Sequence, residues 1–325
     1  MRDNDWGDPQ WRAAAGGWIR ERLAGLGTPV TGAIEETRVR PWSVTYRAAS
    51  AGGPRWFKAN STGCAYEAGL AGALGRWEPE SVLAPLAVNA GRGWLLSADA
   101  GPTLRDELTG APPERLLAVW AEMLQRYAVL QRALAGRAGE MVALGVPDLR
   151  VPAMPSHFAA LLDDPAVRAD LGAERLAAVE ATGPAFGEWC AELAGDGIPA
   201  SLQHDDLTDA NVFVDNYRFF DWGDASVAHP FGSLLVGIGF AAHVLELPAG
   251  APELTRLRDA YLEPWSDLAG PAELRRSASL AWRVTRVSRA LAWRRALRDA
   301  ALPVGEDFRT AVADWLGEVA TPPLL

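Results

Sequence analysis

The chain has 325 residues, 49% of them hydrophobic, and 31 basic against 41 acidic side chains leave a net charge of −10. That length suits one two-lobed domain or two domains, and the acidic balance disfavours a nucleic-acid binder, which carries a basic footprint. No run of about 18 apolar residues appears, so no membrane span is expected.

Cys64 and Cys190 are far apart with no C-x-x-C, which suggests neither a disulfide scaffold nor a zinc site. The opening Met1-Arg2-Asp3-Asn4-Asp5 lacks the order of a secretory leader, so the cytoplasm is the expected compartment.

Asp8-Pro9 reads as a helix cap followed by proline at the first helical position. Trp11, Ala15, Trp18, Ile19, Leu23 and Leu26 then recur at helical spacing up to Gly27. Three strand-like runs follow, Ile34–Arg40, Ser43–Ala48 and Arg55–Ala59, with Ala51-Gly52-Gly53-Pro54 as a turn between the last two. Ser61–Arg76 reads as a helix, and Val82–Val88 and Trp94–Ser97 as further strands. Ala98–Thr103 marks a break, after which the chain is mostly helical. Pro112–Leu134, Arg175–Leu193, Pro271–Ala300 and Asp307–Val319 are the predicted helices. The expected fold class is α+β, with a small β-rich lobe over 1–97 and a larger helical lobe over 98–325.

The segment His204-Asp205-Asp206-Leu207-Thr208-Asp209-Ala210-Asn211, followed by Asp221-Trp222-Gly223, concentrates the chemistry. It reads H-x-D-L-x-x-x-N and then D-W-G, beside the H-R-D-L-x-x-x-N and D-F-G of protein kinases. Phosphoryl transfer needs an Asp to accept or orient the acceptor hydroxyl, and an Asn and a second Asp to hold Mg²⁺ against the nucleotide phosphates. Asp206, Asn211 and Asp221 fit those roles. Val212–Val214 and Tyr217–Phe220 are β-prone, and Asp215-Asn216 between them suggests a hairpin that brings Asn211 beside Asp221.

Of the 31 basic residues one is lysine, Lys58, within the predicted strand Arg55–Ala59. Kinases place a lysine on their third strand to reach the nucleotide phosphates, a task for a compact ammonium on a flexible stem. Glu67 is the one acid between Lys58 and Trp77 and is the candidate partner. Adenine is expected to bind backbone near Ser97 and Asp99 at the lobe junction. No Gly-rich loop is present, so Ser43 and neighbouring amides are the candidates to cover the phosphates.

These motifs resemble the aminoglycoside phosphotransferase and choline kinase group of kinase-like enzymes. The group's His-Gly-Asp-Leu-His-x-x-Asn, Ile-Asp-Trp-x-Asp-Ala and Gly-Asp-Pro stand here as His204–Asn211, Phe220–Ala225 and Ala228-His229-Pro230. The resemblance implies a bilobal kinase-like fold and Mg²⁺-dependent transfer from ATP or GTP to a hydroxyl of a small molecule. It implies Asp206 as base, Asn211 and Asp221 as metal ligands, and Lys58 with Glu67 at the phosphates. A nucleotide-binding pseudokinase or regulator is the alternative.

The sequence departs from the group's pattern at Asp205, Thr208 and His229, and Asp205 is expected to point away from Asp206. No Arg precedes Asp206 and no A-P-E follows Asp221, which favours a small-molecule kinase over a protein kinase; no Walker A motif is present. His204 is read as holding the loop and Asp209 as solvated or capping. Asp224 is read as a metal, substrate or turn residue. The arginines of the last long helix, Arg283, Arg286, Arg289, Arg294 and Arg295, are read as a solvated face.

Overall fold

A computed structural model describes residues 5–298, 300 and 304–324. Met1–Asn4, on which the expectation about a leader partly rests, lie outside them. The chain divides into two compact units. The first takes the described residues up to Gly101, with Arg218–Gly223 and those of Arg294–Gly305. The second takes Pro102–Tyr217, Asp224–Trp293 and the described residues from Glu306 onward.

The first unit is a helix laid on a sheet. Helix α1 (Pro9–Gly25) starts at Asp8, whose carboxylate accepts the Gln10 amide at 2.8 Å. The strands β1 (Val30–Arg40), β2 (Ser43–Ser50), β3 (Arg55–Asn60), β4 (Ala87–Asn89) and β5 (Trp94–Ala98) form one antiparallel sheet in the order β1-β2-β3-β5-β4. Strand alternation sends Val44, Tyr46, Phe57, Ala59, Trp94 and Leu96 to one face, where they pack with Trp11, Trp18 and Ile19 of α1. Edge-to-face ring pairs such as Trp11–Trp94, with centroids 5.8 Å apart, order this core. The same alternation puts Ser43, Lys58, Asn60 and Ser97 on the opposite face. Lys58 stands between Thr45 and Leu95 in register.

Two expectations for this unit need correction. The helix expected from Ser61 begins only at Tyr66, as α2 (Tyr66–Trp77), after a tight turn at Thr62–Cys64. Gly63 lies so close to the Arg295 carbonyl that a Cβ there would overlap it. The expected strand Val82–Val88 shrinks to β4, because Pro85 has no amide to donate to a ladder. Val82 instead makes one parallel bridge with Phe219.

The second unit is helical around a two-stranded ladder. Its elements are α3 (Leu104–Leu108), α4 (Pro113–Leu134), α5 (Ala138–Ala143), α6 (Met154–Leu162), α7 (Pro165–Ala194), β6 (Ser201–Gln203), β7 (Ser226–Ala228), α8 (Leu234–Val244) and α9 (Pro252–Leu262). They are followed by α10 (Pro271–Arg298, whose last turn groups with the first unit), α11 (Glu306–Arg309) and α12 (Ala311–Gly317). The expected helix Arg175–Leu193 is the latter part of α7, which Gly172 interrupts at φ +71°. The expected final helix is broken at Thr310 into α11 and α12. The predicted end of α10 falls beyond Arg298, where residue 299 lies outside the described residues. Among the described residues no helix is long and apolar enough to cross a membrane.

The hairpin expected over 212–220 does not form. Phe213 bridges Thr103, with Leu104 donating to the Val212 carbonyl, while Phe219 exchanges backbone bonds with Ser81 and Leu83. Each run finds a partner distant in sequence, and the link between them is a tight turn with Asn216 and Tyr217 at positive φ.

Candidate active site

In the first unit, Lys58 Nζ donates to Glu67 Oε2 at 2.6 Å and to Asp221 Oδ1 at 2.5 Å. The Lys58 side chain is 14% exposed and that of Glu67 3%. Glu67 also accepts Asn60 Nδ2 at 2.8 Å on Oε2 and the Trp222 amide at 3.1 Å on Oε1. The strand period explains Asn60: two residues beyond Lys58, it faces the same way. Burial of the ammonium works against its charge, but Asp221 and Glu67 outweigh that and hold the Lys58 pKa above its ordinary value. Burial pushes the Glu67 carboxyl up, and Lys58 and Asn60 offset part of that rise.

Asp221 is one of a few non-glycine residues at positive φ, at +66°. Such a conformation is costly for a side chain bearing Cβ and persists where the surroundings enforce it. The enforcement is visible in the next two residues. The Trp222 amide is tied to Glu67, and Tyr66 OH donates to the Gly223 carbonyl at 2.6 Å. A Cβ on Gly223 would stand 3.2 Å from Glu67 Oε2, so the turn has little room for a larger residue.

The other residues expected at the nucleotide are placed as follows. Ser43 begins β2, is buried, and pairs in register with Asn60. Ser97 is buried on β5 opposite Trp56. Asp99 follows β5, and its carboxylate receives Trp56 Nε1 at 3.3 Å and the Gly101 amide at 3.0 Å. The Asp99 amide itself is donated to Pro54. The side chain of Asp99 therefore fastens the chain where the first unit's long opening segment ends.

In the second unit the loop runs between β6 and β7, which pair Ser201 with Ala228 and Gln203 with Ser226. Buried Leu207 and Val212 anchor it. His204 is buried; its amide donates to Ser233 Oγ at 3.1 Å, and its Nδ1 accepts the Asp206 amide at 3.2 Å. Asn211 Nδ2 donates to the Asp206 carbonyl at 2.8 Å and to Asp206 Oδ2 at 3.0 Å. With its Nδ2 so engaged, Asn211 has its amide oxygen to offer a cation. Asp206 is 41% exposed at its side chain, so solvent and solutes reach it. Asp205 is buried and accepts Gln203 Nε2 at 2.6 Å.

Among the described residues no three His, Cys, Asp or Glu side chains gather as a metal cluster. The Asp221 carboxylate in the first unit and the Asn211 carboxamide in the second each offer a hard oxygen. They suit Mg²⁺, which takes one or two protein carboxylates and completes its shell with water and phosphate.

No protein-family model matches the sequence, and a search of curated proteins finds no match. Solved structures do resemble it. The Plasmodium vivax ethanolamine kinase superposes with a TM-score of 0.62 at 10% identity, over 99% of this chain and 91% of that one. A thermostable mutant aminoglycoside phosphotransferase, in ternary complex with ADP and hygromycin B, superposes at 0.51 with 15% identity, over 94% and 99%. A type I macrolide 2′-phosphotransferase superposes at 0.50 with 15% identity, over 93% and 97%.

The chain has the kinase-like fold.

Within that kinase-like fold, several residues take positions the sequence reading did not assign. Asp209 is buried, not solvated, because Arg105 grips it through Nε at 3.0 Å and Nη2 at 2.7 Å. Arg286 and Arg289 are buried as well, so the arginines of α10 do not form a solvated face. Arg286 donates to the carbonyls of Glu318, Thr321 and Pro322. Arg289 donates to Asp224 and reaches Asp206. Their three-residue spacing, which puts both on one helix face, was the available signal. His229 is buried against Asp196, with Nε2 and Oδ2 3.0 Å apart.

Proposed function

We propose that this protein is a Mg²⁺-dependent phosphotransferase that moves the γ-phosphoryl group of ATP or GTP to a hydroxyl of a small molecule. The observation that carries the proposal is the Lys58–Glu67 pair, with Glu67 buried and Asp221 on the same ammonium. Together with Asp206 and Asn211, these side chains follow the order and spacing that phosphoryl transfer requires. The kinase-like fold supports it, as do solved structures of that fold holding ADP or AMP-PNP with hygromycin B.

In this reading Lys58, aimed by Glu67, meets the phosphates. The turn at Ser43 covers them, and backbone near Ser97 and Asp99 receives the base. Asn211 and Asp221 would hold Mg²⁺, which neutralises charge on the phosphate oxygens. Asp206 takes the proton of the acceptor hydroxyl as its oxygen bonds to the γ-phosphorus; the bond to the bridging oxygen breaks, and the nucleoside diphosphate leaves. The proposal includes a cytoplasmic setting, where the nucleotide is at hand and the two buried cysteines stay thiols.

The test is transfer from γ-labelled ATP and GTP, with Mg²⁺, to a panel that includes ethanolamine, hygromycin B, a macrolide and a wider set of hydroxyl compounds. A labelled product that disappears with Asp206→Asn supports the reading. Nucleotide binding without transfer to any member would favour a pseudokinase, and absence of both would overturn the reading.

A further inference from the structure

Arg289 sits on α10 with its side chain 9% exposed. Nη1 donates to Asp224 Oδ2 at 2.7 Å, and Nη2 stands 3.4 Å from Asp206 Oδ1. The guanidinium carbon lies 5.4 Å from the ring centroid of Trp293 and 5.8 Å from that of Trp315, so two indole rings neighbour the charge. Asp206 thus has a neighbour at each oxygen: Asn211 bonds Oδ2, and Arg289 stands near Oδ1.

The two distances divide the work. At 2.7 Å the Asp224 contact is a charge-assisted hydrogen bond that fixes the arginine. At 3.4 Å the Asp206 contact is too long to lock the carboxylate, but it sets the direction in which a negative oxygen is most stable. Oδ1 is oriented while it stays able to accept a proton. A lysine could not bridge both carboxylates at a fixed angle, because it is a point charge on a flexible stem.

We propose that Arg289 is a positioning residue that aims the Asp206 carboxylate, and that Asp224 is the anchor that holds Arg289 in place. The inference rests on the reading of Asp206 as the base. It adds to the working set Asp224, the second Asp of the Phe220–Ala225 motif, and Arg289 on the last long helix.

The experiment uses the full chain and needs no identified acceptor: hydrolysis of Mg²⁺-ATP, with water as the acceptor, is measured alongside crystal structures. Arg289→Gln is expected to lower kcat about 10- to 100-fold, the range that misplacement of a reacting group produces. KM for ATP should stay within about twofold. Arg289→Lys should restore part of the loss, and Asp224→Asn should reproduce it. In an Asp206→Asn background, Arg289→Gln should cost nothing more. Crystals of Arg289→Gln should show the Asp206 carboxylate turned from its native direction. If Arg289→Gln does not fold, Asp224→Asn, which keeps the arginine, carries the same comparison.

An Asp206 carboxylate unmoved in the variant overturns the inference, as does a loss of kcat that persists in full in the Asp206→Asn background. Wild-type turnover by Asp206→Asn alone would instead overturn the reading of Asp206, and so separates the two.

Discussion

At the scale of single residues, the roles proposed for two carboxylates differ in what each loss should do. Asp206→Ala removes the proton acceptor and leaves the groups on the nucleotide untouched. Transfer should fall by at least about 100-fold, with nucleotide affinity by calorimetry within about twofold of wild type. Asp221→Ala removes a metal ligand and one of the two acids on Lys58, so Mg²⁺-nucleotide affinity itself should drop, by about 10-fold or more. Equal loss of binding in both variants would contradict the assignment. Lys58→Arg keeps the charge but not the shape. The planar fork cannot place one compact cation between Glu67 Oε2 and Asp221 Oδ1, 2.6 and 2.5 Å away. Transfer should fall nearly as far in Lys58→Arg as in Lys58→Ala, and a Lys58→Arg enzyme of wild-type rate would remove Lys58 from its proposed role.

At the scale of elements, the parts read correctly from sequence are those governed by local period. Alternation marks β2, β3 and β5, and it also fixes which face Lys58 shares with Ser43 and Ser97. Asp8-Pro9 marks the start of α1; Asp8→Ala should cost about 1 kcal/mol, measured by urea denaturation. What escaped the sequence is pairing over long separations. Residues 212–214 and 219 look like two arms of a hairpin, yet they bridge Thr103 and Val82. Nothing local distinguishes these outcomes, since a β-prone run pairs with whatever edge the fold presents. The arginines of α10 pose the same difficulty. The sequence shows cations at helical spacing but not the carboxylates and carbonyls that neutralise them, which come from Asp206, Asp224 and the segment after α12. Lys58, Glu67, Asp206, Asn211 and Asp221 sit in recognisable order along the chain, and Asp224 lies in the same motif with its role left open, whereas Asn60 and Arg289 are known only by what they touch.

At the scale of the whole molecule, pH and ligand provide two handles. Burial would raise the Asp196 carboxyl, but the hydrogen bond and charge of His229 outweigh it and hold it below its ordinary value. A carboxyl lowered in the folded state contributes stability above the unfolded pKa of about 3.9. That contribution is lost as pH falls through the lower folded value. Asp196→Asn should therefore lower the urea midpoint at neutral pH and make stability less steeply dependent on pH below about 4. An unchanged acid limb would show that the pair contributes nothing. Mg²⁺ with a non-hydrolysable ATP analogue at about 100 times its Kd should add about 2.7 kcal/mol to the stability of whatever part it binds. The added stability should shrink in Asp221→Ala; a wild-type response there would argue against Asp221 as a ligand of the metal.

A chain with 30 arginines and one lysine carries its sole side-chain amine on the ammonium that Glu67 and Asp221 enclose. Reagents that acylate lysine therefore have one internal target, protected twice, by poor access and by a proton held tightly. Loosening either acid should unmask it. The rate at which a single acyl group appears within the peptide containing Trp56 and Phe57 becomes a mass-spectrometric gauge of that enclosure, without any added label or tag.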